Sequence, residues 1–216
     1  MIERNISTAT HGRYIVNADA GPHSPLLVGF HGYAERAEHE YQRLSSLPGA
    51  ERWLLAAVQG LHRFYRNRYS EIVASWMTSQ DRELAIADNR AYVSLVIDSV
   101  AEEWSASRIL VVSGFSQGVA MAYRAAVDST RDVRGVIACG GDIPPELGPD
   151  SLARIPSVII GRGTRDEWYT EEKLTADESR LRDADVRVQV VRFDGGHEWP
   201  EEFSRAAGHF LDSCTA

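Results

Sequence analysis

Short runs of apolar, largely β-branched residues alternate along the chain with longer stretches in which apolar positions recur every three or four residues. Runs of the first kind fall at 13–18, 26–30, 53–58, 108–113, 133–139, 157–161 and 186–193. Most are close to continuous in apolar character, as strands buried on both faces must be. The clearest helix is expected over 82–104, where Ile86, Val93, Ile97, Val100 and Trp104 form one apolar stripe. Alternation of this kind predicts a mostly parallel sheet covered by helices on both faces. No internal repeat, low-complexity tract or long Pro/Gly linker interrupts it, so residues 1–216 are expected to form a single domain.

Composition narrows the function classes more than the fold. With 44% hydrophobic and 25% charged residues the chain has ordinary globular composition. Acidic residues outnumber basic ones 31 to 23, for a formal charge of -8, which disfavours a nucleic-acid partner because phosphate backbones are bound mainly by Lys and Arg. The two cysteines, Cys139 and Cys214, suggest neither a disulfide framework nor a zinc cluster and fit a reducing compartment. Met1-Ile2-Glu3-Arg4-Asn5 lacks a basic region followed by an apolar one, and apolar runs such as 54–58 are far too short to span a bilayer. A cytoplasmic protein without a membrane span is expected.

Candidate chemistry enters at Gly114-Phe115-Ser116-Gln117-Gly118, which follows the strand run at 108–113 and precedes the helix-compatible Val119-Ala120-Met121-Ala122-Tyr123. A serine hydroxyl is a weak nucleophile unless presented to a base. A sharp strand-to-helix turn exposes it and offers the next residue's N–H to an oxyanion. Glycines two positions to either side let the chain turn tightly. Loops after parallel strands gather at the carboxyl edge of the sheet, where such folds hold ligands, so the partners of Ser116 are sought there.

His197 follows the last strand run through Asp194-Gly195-Gly196 and is the candidate base. Asp166, on the loop after the run at 157–161, is the candidate acid that would orient the imidazole, with Glu167, Asp194 and Asp142 as rivals. The oxyanion hole requires two N–H donors. Gln117 supplies one, and the loop Phe30-His31-Gly32-Tyr33-Ala34 the other, through Tyr33 or, alternatively, Gly32. His31 precedes the nucleophile and is expected to brace that loop by a hydrogen bond. No histidine pair or carboxylate cluster has metal-ligand spacing, so neither metal nor cofactor is expected.

The segments Phe30-His31-Gly32, Gly114 to Gly118, Gly161 to Asp166 and Gly195-Gly196-His197 together resemble the phospholipase/carboxylesterase family of small α/β-hydrolases, in order and spacing over nearly the whole chain. The resemblance implies an α/β-hydrolase fold with a minimal lid, acting as a carboxylesterase or acyl-protein thioesterase. Two segments depart from the family pattern. Tyr33-Ala34-Glu35 stands where a small apolar residue, Gly and Asp are frequent, and Trp76-Met77 matches only part of a Trp-Phe-Asp segment. That partial match places Trp76 at the substrate. The run at 62–69 alternates basic and aromatic residues. It reads either as a rim recognising a substrate carboxylate or aromatic acyl group, with Arg66 as candidate, or as a solvated loop whose rings pack inward. No patch suited to a long lipid chain is evident, so small soluble esters are the expected substrates, ahead of thioesters, peptides or a non-catalytic ligand; a homodimer is compatible with the sequence but not required by it.

Overall fold

The computed structural model describes residues 1–67 and 70–215. All seven expected strands pair in one sheet, in the order β1 (Arg13–Asn17), β3 (Leu54–Gln59), β2 (Leu26–Phe30), β6 (Ile109–Phe115), β7 (Asp132–Cys139), β8 (Ser157–Gly163) and β9 (Arg187–Phe193). Only β1 runs antiparallel, against β3. The interior strands β2 and β3 are buried at every position, whereas the edge strand β9 mixes exposed and half-buried residues before ending on the buried Phe193. Continuous apolar runs therefore mark the middle of the sheet and mixed ones its borders.

Helices cover both faces. The pleat sends Leu26, Val28 and Phe30 of β2 toward α2 (Arg82–Glu103), α3 (Gln117–Asp128), the short α4 (Pro149–Leu152) and α5 (Glu171–Asp183). It sends Leu27 toward α1 (Ala37–Ser45) and α6 (Glu201–Ser213). The stripe expected on α2 is the face that packs: Ile86, Val93, Ile97 and Val100 are buried, with Trp104 partly so just beyond the helix end. Between β7 and β8 the chain passes only through a loop and the four-residue α4, so no larger cover stands over the sheet edge there.

The region read as a loop at 62–69 contains a strand instead. β4 (His62–Arg66) and β5 (Glu71–Ser75) form an antiparallel hairpin outside the main sheet. It docks through Ala34 N–H to Ala74 O (3.0 Å) and Ala74 N–H to Glu35 O (2.7 Å), which ties it to the loop after β2. Arg68 and Tyr69, part of the same expectation, lie outside the described residues. Among the described residues no helix is long and apolar enough to cross a membrane, and both cysteines are buried and unpaired.

Candidate active site

Ser116 sits between the end of β6 and the first residue of α3, with φ 53° and ψ -121°. This left-handed backbone is costly for a residue with a Cβ, typically about 1–3 kcal/mol, and persists only where the surroundings impose it. Two contacts impose it here. Ser116 N–H donates to Cys139 O at the end of β7 (2.9 Å). Gly118 packs so closely on β2 that a Cβ would come within 1.9 Å of Phe30 O. The turn thus pushes the Ser116 side chain out of the sheet edge while its helix stays pressed against the neighbouring strand.

Three side chains from three loops meet at that edge. His197 Nε2 lies 2.8 Å from Ser116 Oγ, and its Nδ1 lies 2.8 Å from Asp166 Oδ2. With a carboxylate as its only acceptor there, Nδ1 carries the ring proton and Nε2 is left to accept from the serine hydroxyl. The other Asp166 oxygen accepts from Trp168 N–H (2.8 Å) and Tyr169 N–H (2.9 Å), so the buried carboxylate has all its hydrogen bonds inside the protein. The rival acids stand apart from the imidazole: Asp194 is highly exposed and pairs with Arg165, Asp142 lies 3.3 Å from Lys173 Nζ, and Glu167 is exposed.

The backbone N–H groups of Tyr33 and Gln117, expected to serve as oxyanion donors, have no other acceptor among the described residues. Gly32 N–H is committed to Glu35 Oε2 (2.8 Å) and Ala34 N–H to Ala74 O, whereas Tyr33 N–H has no acceptor among the described residues. Gln117, at the first position of α3, likewise has a free backbone N–H, as helix geometry dictates. Both ends of its side chain are engaged: Oε1 accepts from Trp76 N–H (2.9 Å) and Ser75 Oγ (3.1 Å), and Nε2 donates to Met77 O (3.0 Å). A glutamine at this position thus clamps the segment after β5 while leaving its own amide available.

His31 is a brace, as expected. It is fully buried, with Nδ1 2.6 Å from Gly32 O and Nε2 accepting from Gly60 N–H at 3.0 Å. Burial lowers its pKa from 6.5 to about 4, so the ring is neutral and both nitrogens have defined roles. The two expected substrate contacts need correction. Trp76 is wholly buried, donates its indole N–H to His31 O (2.8 Å) and packs edge-on to Phe30, so it supports the loop from beneath and does not reach a solute. Arg66 is bonded to Glu71 at 2.5 and 3.0 Å and does not line the cavity beside Ser116. Its carboxylate partner comes from its own hairpin.

Sequence reading missed a charged cluster under the loop after β2. Arg43 of α1 grips Glu35 with two bonds of 2.5 and 2.7 Å and also reaches Glu40 Oε2 at 3.1 Å. Its guanidinium lies 4.3 Å above the Phe115 ring, which in turn stacks on His197 with centroids 5.1 Å apart. Gly29 makes room for this, since a Cβ there would fall 2.7 Å from Glu40 Cγ. Burial works against the Glu35 charge, yet Arg43 and the Gly32 N–H hold its carboxyl below its ordinary value. Fully buried Glu40 goes the other way: desolvation raises it from 4.5 to about 7. One guanidinium faces two carboxyls, and the one it grips with both nitrogens keeps the charge.

A cavity of about 250 Å³ opens beside Ser116 and His197. Met77, Ala120 and Trp168 supply its apolar lining and Arg82, Asp142 and Lys173 its charges. Among the described residues no group of three or more His, Cys, Asp or Glu is placed to hold a metal ion.

A mostly parallel sheet with this strand order, and a serine at the strand–helix turn facing a histidine on the loop after the last strand, define the α/β-hydrolase fold. A model of the phospholipase/carboxylesterase family matches residues 67–215, and the chain belongs to that family. The fold is similar to the carboxylesterase of Bacillus cereus (TM-score 0.75, 15% identity, 94% of each chain covered). It is also similar to acyl-protein thioesterase 2 of Zea mays (TM-score 0.73, 18% identity, covering 95% of this chain and 100% of that one). A third similar structure is a phospholipase/carboxylesterase from Dyadobacter fermentans (TM-score 0.70, 18% identity, 96% and 100% covered). A comparison with curated proteins gives no match.

Proposed function

We propose that this chain, acting as one domain, is a serine hydrolase that cleaves carboxylic esters of small soluble substrates through an acyl-enzyme at Ser116. The observation that carries the reading is the pair of 2.8 Å contacts linking Ser116, His197 and Asp166. Ser116 Oγ attacks the ester carbonyl as its proton passes to His197 Nε2, and Asp166 holds Nδ1–H and stabilises the imidazolium. The oxyanion accepts from Tyr33 N–H and Gln117 N–H. Collapse breaks the bond to the alcohol oxygen, which takes the proton from His197. A water then gives a proton to His197 as it attacks the acyl carbon, and Ser116 leaves with that proton.

The cavity volume favours short acyl groups, because about 250 Å³ lies below the span of typical drug-sized pockets, roughly 300–1,000 Å³. A fluorophosphonate should label the protein once, at Ser116, and Ser116→Ala should abolish both labelling and turnover of short p-nitrophenyl esters. Unlabelled wild type would favour a non-catalytic binding protein. A higher kcat/KM for palmitoyl thioesters than for short esters would favour the thioesterase reading.

A further inference from the structure

We infer that the ester cleaved at Ser116 carries a carboxylate, on its acyl or its alcohol side, that is received by Arg82. The inference rests on the proposed esterase reading and deepens it. Arg82 opens α2 and lines the cavity beside Ser116 and His197. In a chain with a formal charge of -8, its guanidinium has no ionic or hydrogen-bonding partner among the described residues. Glu146 feels its field, but that carboxylate is ion-paired with Arg124 at 2.7 Å and accepts its Nε–H at 2.8 Å. The one acid lining the cavity, Asp142, faces Lys173 at 3.3 Å, and Lys173 also donates to Trp168 O (3.0 Å). Lys173 is the single lysine of the chain, so the lining holds two cations against one acid.

An uncompensated cation beside a reacting ester favours a negative group on the substrate and disfavours a long apolar one. The apolar lining is too sparse to seat an extended hydrocarbon, and the volume suits a substrate of a few carbons. A guanidinium also matches a carboxylate with two parallel hydrogen bonds, which would hold the ester in one orientation relative to Ser116.

The test compares ethyl butyrate with monoethyl glutarate for an acyl-side carboxylate, and isopropyl acetate with O-acetyl-lactate for an alcohol-side one. In at least one pair, kcat/KM for the charged ester should exceed that of the neutral one by about tenfold, mainly through KM, the scale of a charge-assisted bond near a surface. Arg82→Gln should remove that preference, and Arg82→Lys should restore part of it. Arg187→Gln changes an arginine on the far side of the sheet edge, away from this cavity, and should leave the ratio as it was. Binding of free glutarate, measured by calorimetry, scores the anion site without turnover and should weaken at least fivefold in Arg82→Gln. Equal ratios for charged and neutral esters, or glutarate binding that is absent or unchanged in Arg82→Gln, overturn the inference. Failure of the esterase reading shows differently, as an unlabelled Ser116 with or without glutarate binding.

Discussion

The two sides of Ser116 are built on different principles. On one side, His197 and Asp166 come from loops that end neighbouring strands, and their alignment needs only short local turns and two hydrogen bonds of 2.8 Å. On the other, the loop carrying Tyr33 is held by Glu35, Arg43 and Glu40, three ionisable groups taken largely out of water. The first side is a chain of neutral or singly charged partners with clear acceptors. The second depends on how one guanidinium is shared between two carboxyls, which makes it costlier to disturb in stability and gentler to disturb in chemistry. Phe115 joins the two, with Arg43 over one ring and His197 against it.

The contrast is broken most severely on the histidine side. Asp166→Asn should preserve the fold yet misplace the imidazole proton, lowering kcat by up to about ten-thousandfold, the scale known for such a change in a triad. Steady-state kinetics on protein with an unaltered melt would establish it; a loss below tenfold would remove Asp166 from the proposed role. On the other side, Arg43→Met leaves the partly buried Glu35 without its ionic partner, at a cost that should stay below the roughly 3–5 kcal/mol of breaking a fully buried pair. Urea unfolding should register that loss, with kcat reduced far less than in Asp166→Asn.

Glu40 sharpens the difference through pH. Its folded pKa, about 7, lies above the ordinary 4.5, so the folded chain keeps a proton that the unfolded chain releases. Its contribution is therefore most favourable at low pH and is lost as pH rises through the interval from 4.5 to about 7. Glu35 and His31 shift in the opposite sense, so the wild-type melt alone does not isolate it. The difference in Tm between Glu40→Gln and wild type should move in favour of the variant from pH 5 to pH 8. A difference that does not change with pH would mean that Glu40 is ionised throughout. The smallest effect is expected at Asp194→Asn: the residue is solvent-facing and paired only with Arg165, so kcat and Tm should both stay near wild type.

What could be read from the chain follows the same division. The strands of the main sheet and the stripe on α2 were legible because burial on both faces, or on one helical face, leaves a period in the residues themselves. The loops bearing Ser116, Asp166 and His197 were legible because each follows such a strand. The hairpin of β4 and β5 was not, since His62-Arg63-Phe64-Tyr65-Arg66 is mostly exposed and shows no apolar alternation. Nor was the Glu35–Arg43–Glu40 cluster, because a buried carboxylate and an exposed one are the same letter. Only their packing, with Gly29 vacating the space, separates them. Trp76 was placed at the substrate by analogy, but its indole reaches a backbone carbonyl inside the protein, a contact that depends on how the hairpin folds back. Arg82 lies at the start of an expected helix, and nothing local reveals that it lines the same cavity as Ser116.

The Gln117 clamp has a kinetic consequence. The amide proposed to receive the oxyanion belongs to a residue whose side chain is bonded three times to the segment 75–77, so that amide does not turn without dragging the strand end with it. A donor fixed in this way needs no rearrangement when charge develops. An oxyanion mimic such as a boronic acid should therefore associate with the free protein in one exponential phase, its rate rising linearly with concentration. Gln117→Ala, by freeing the segment, should introduce a slower second phase that saturates.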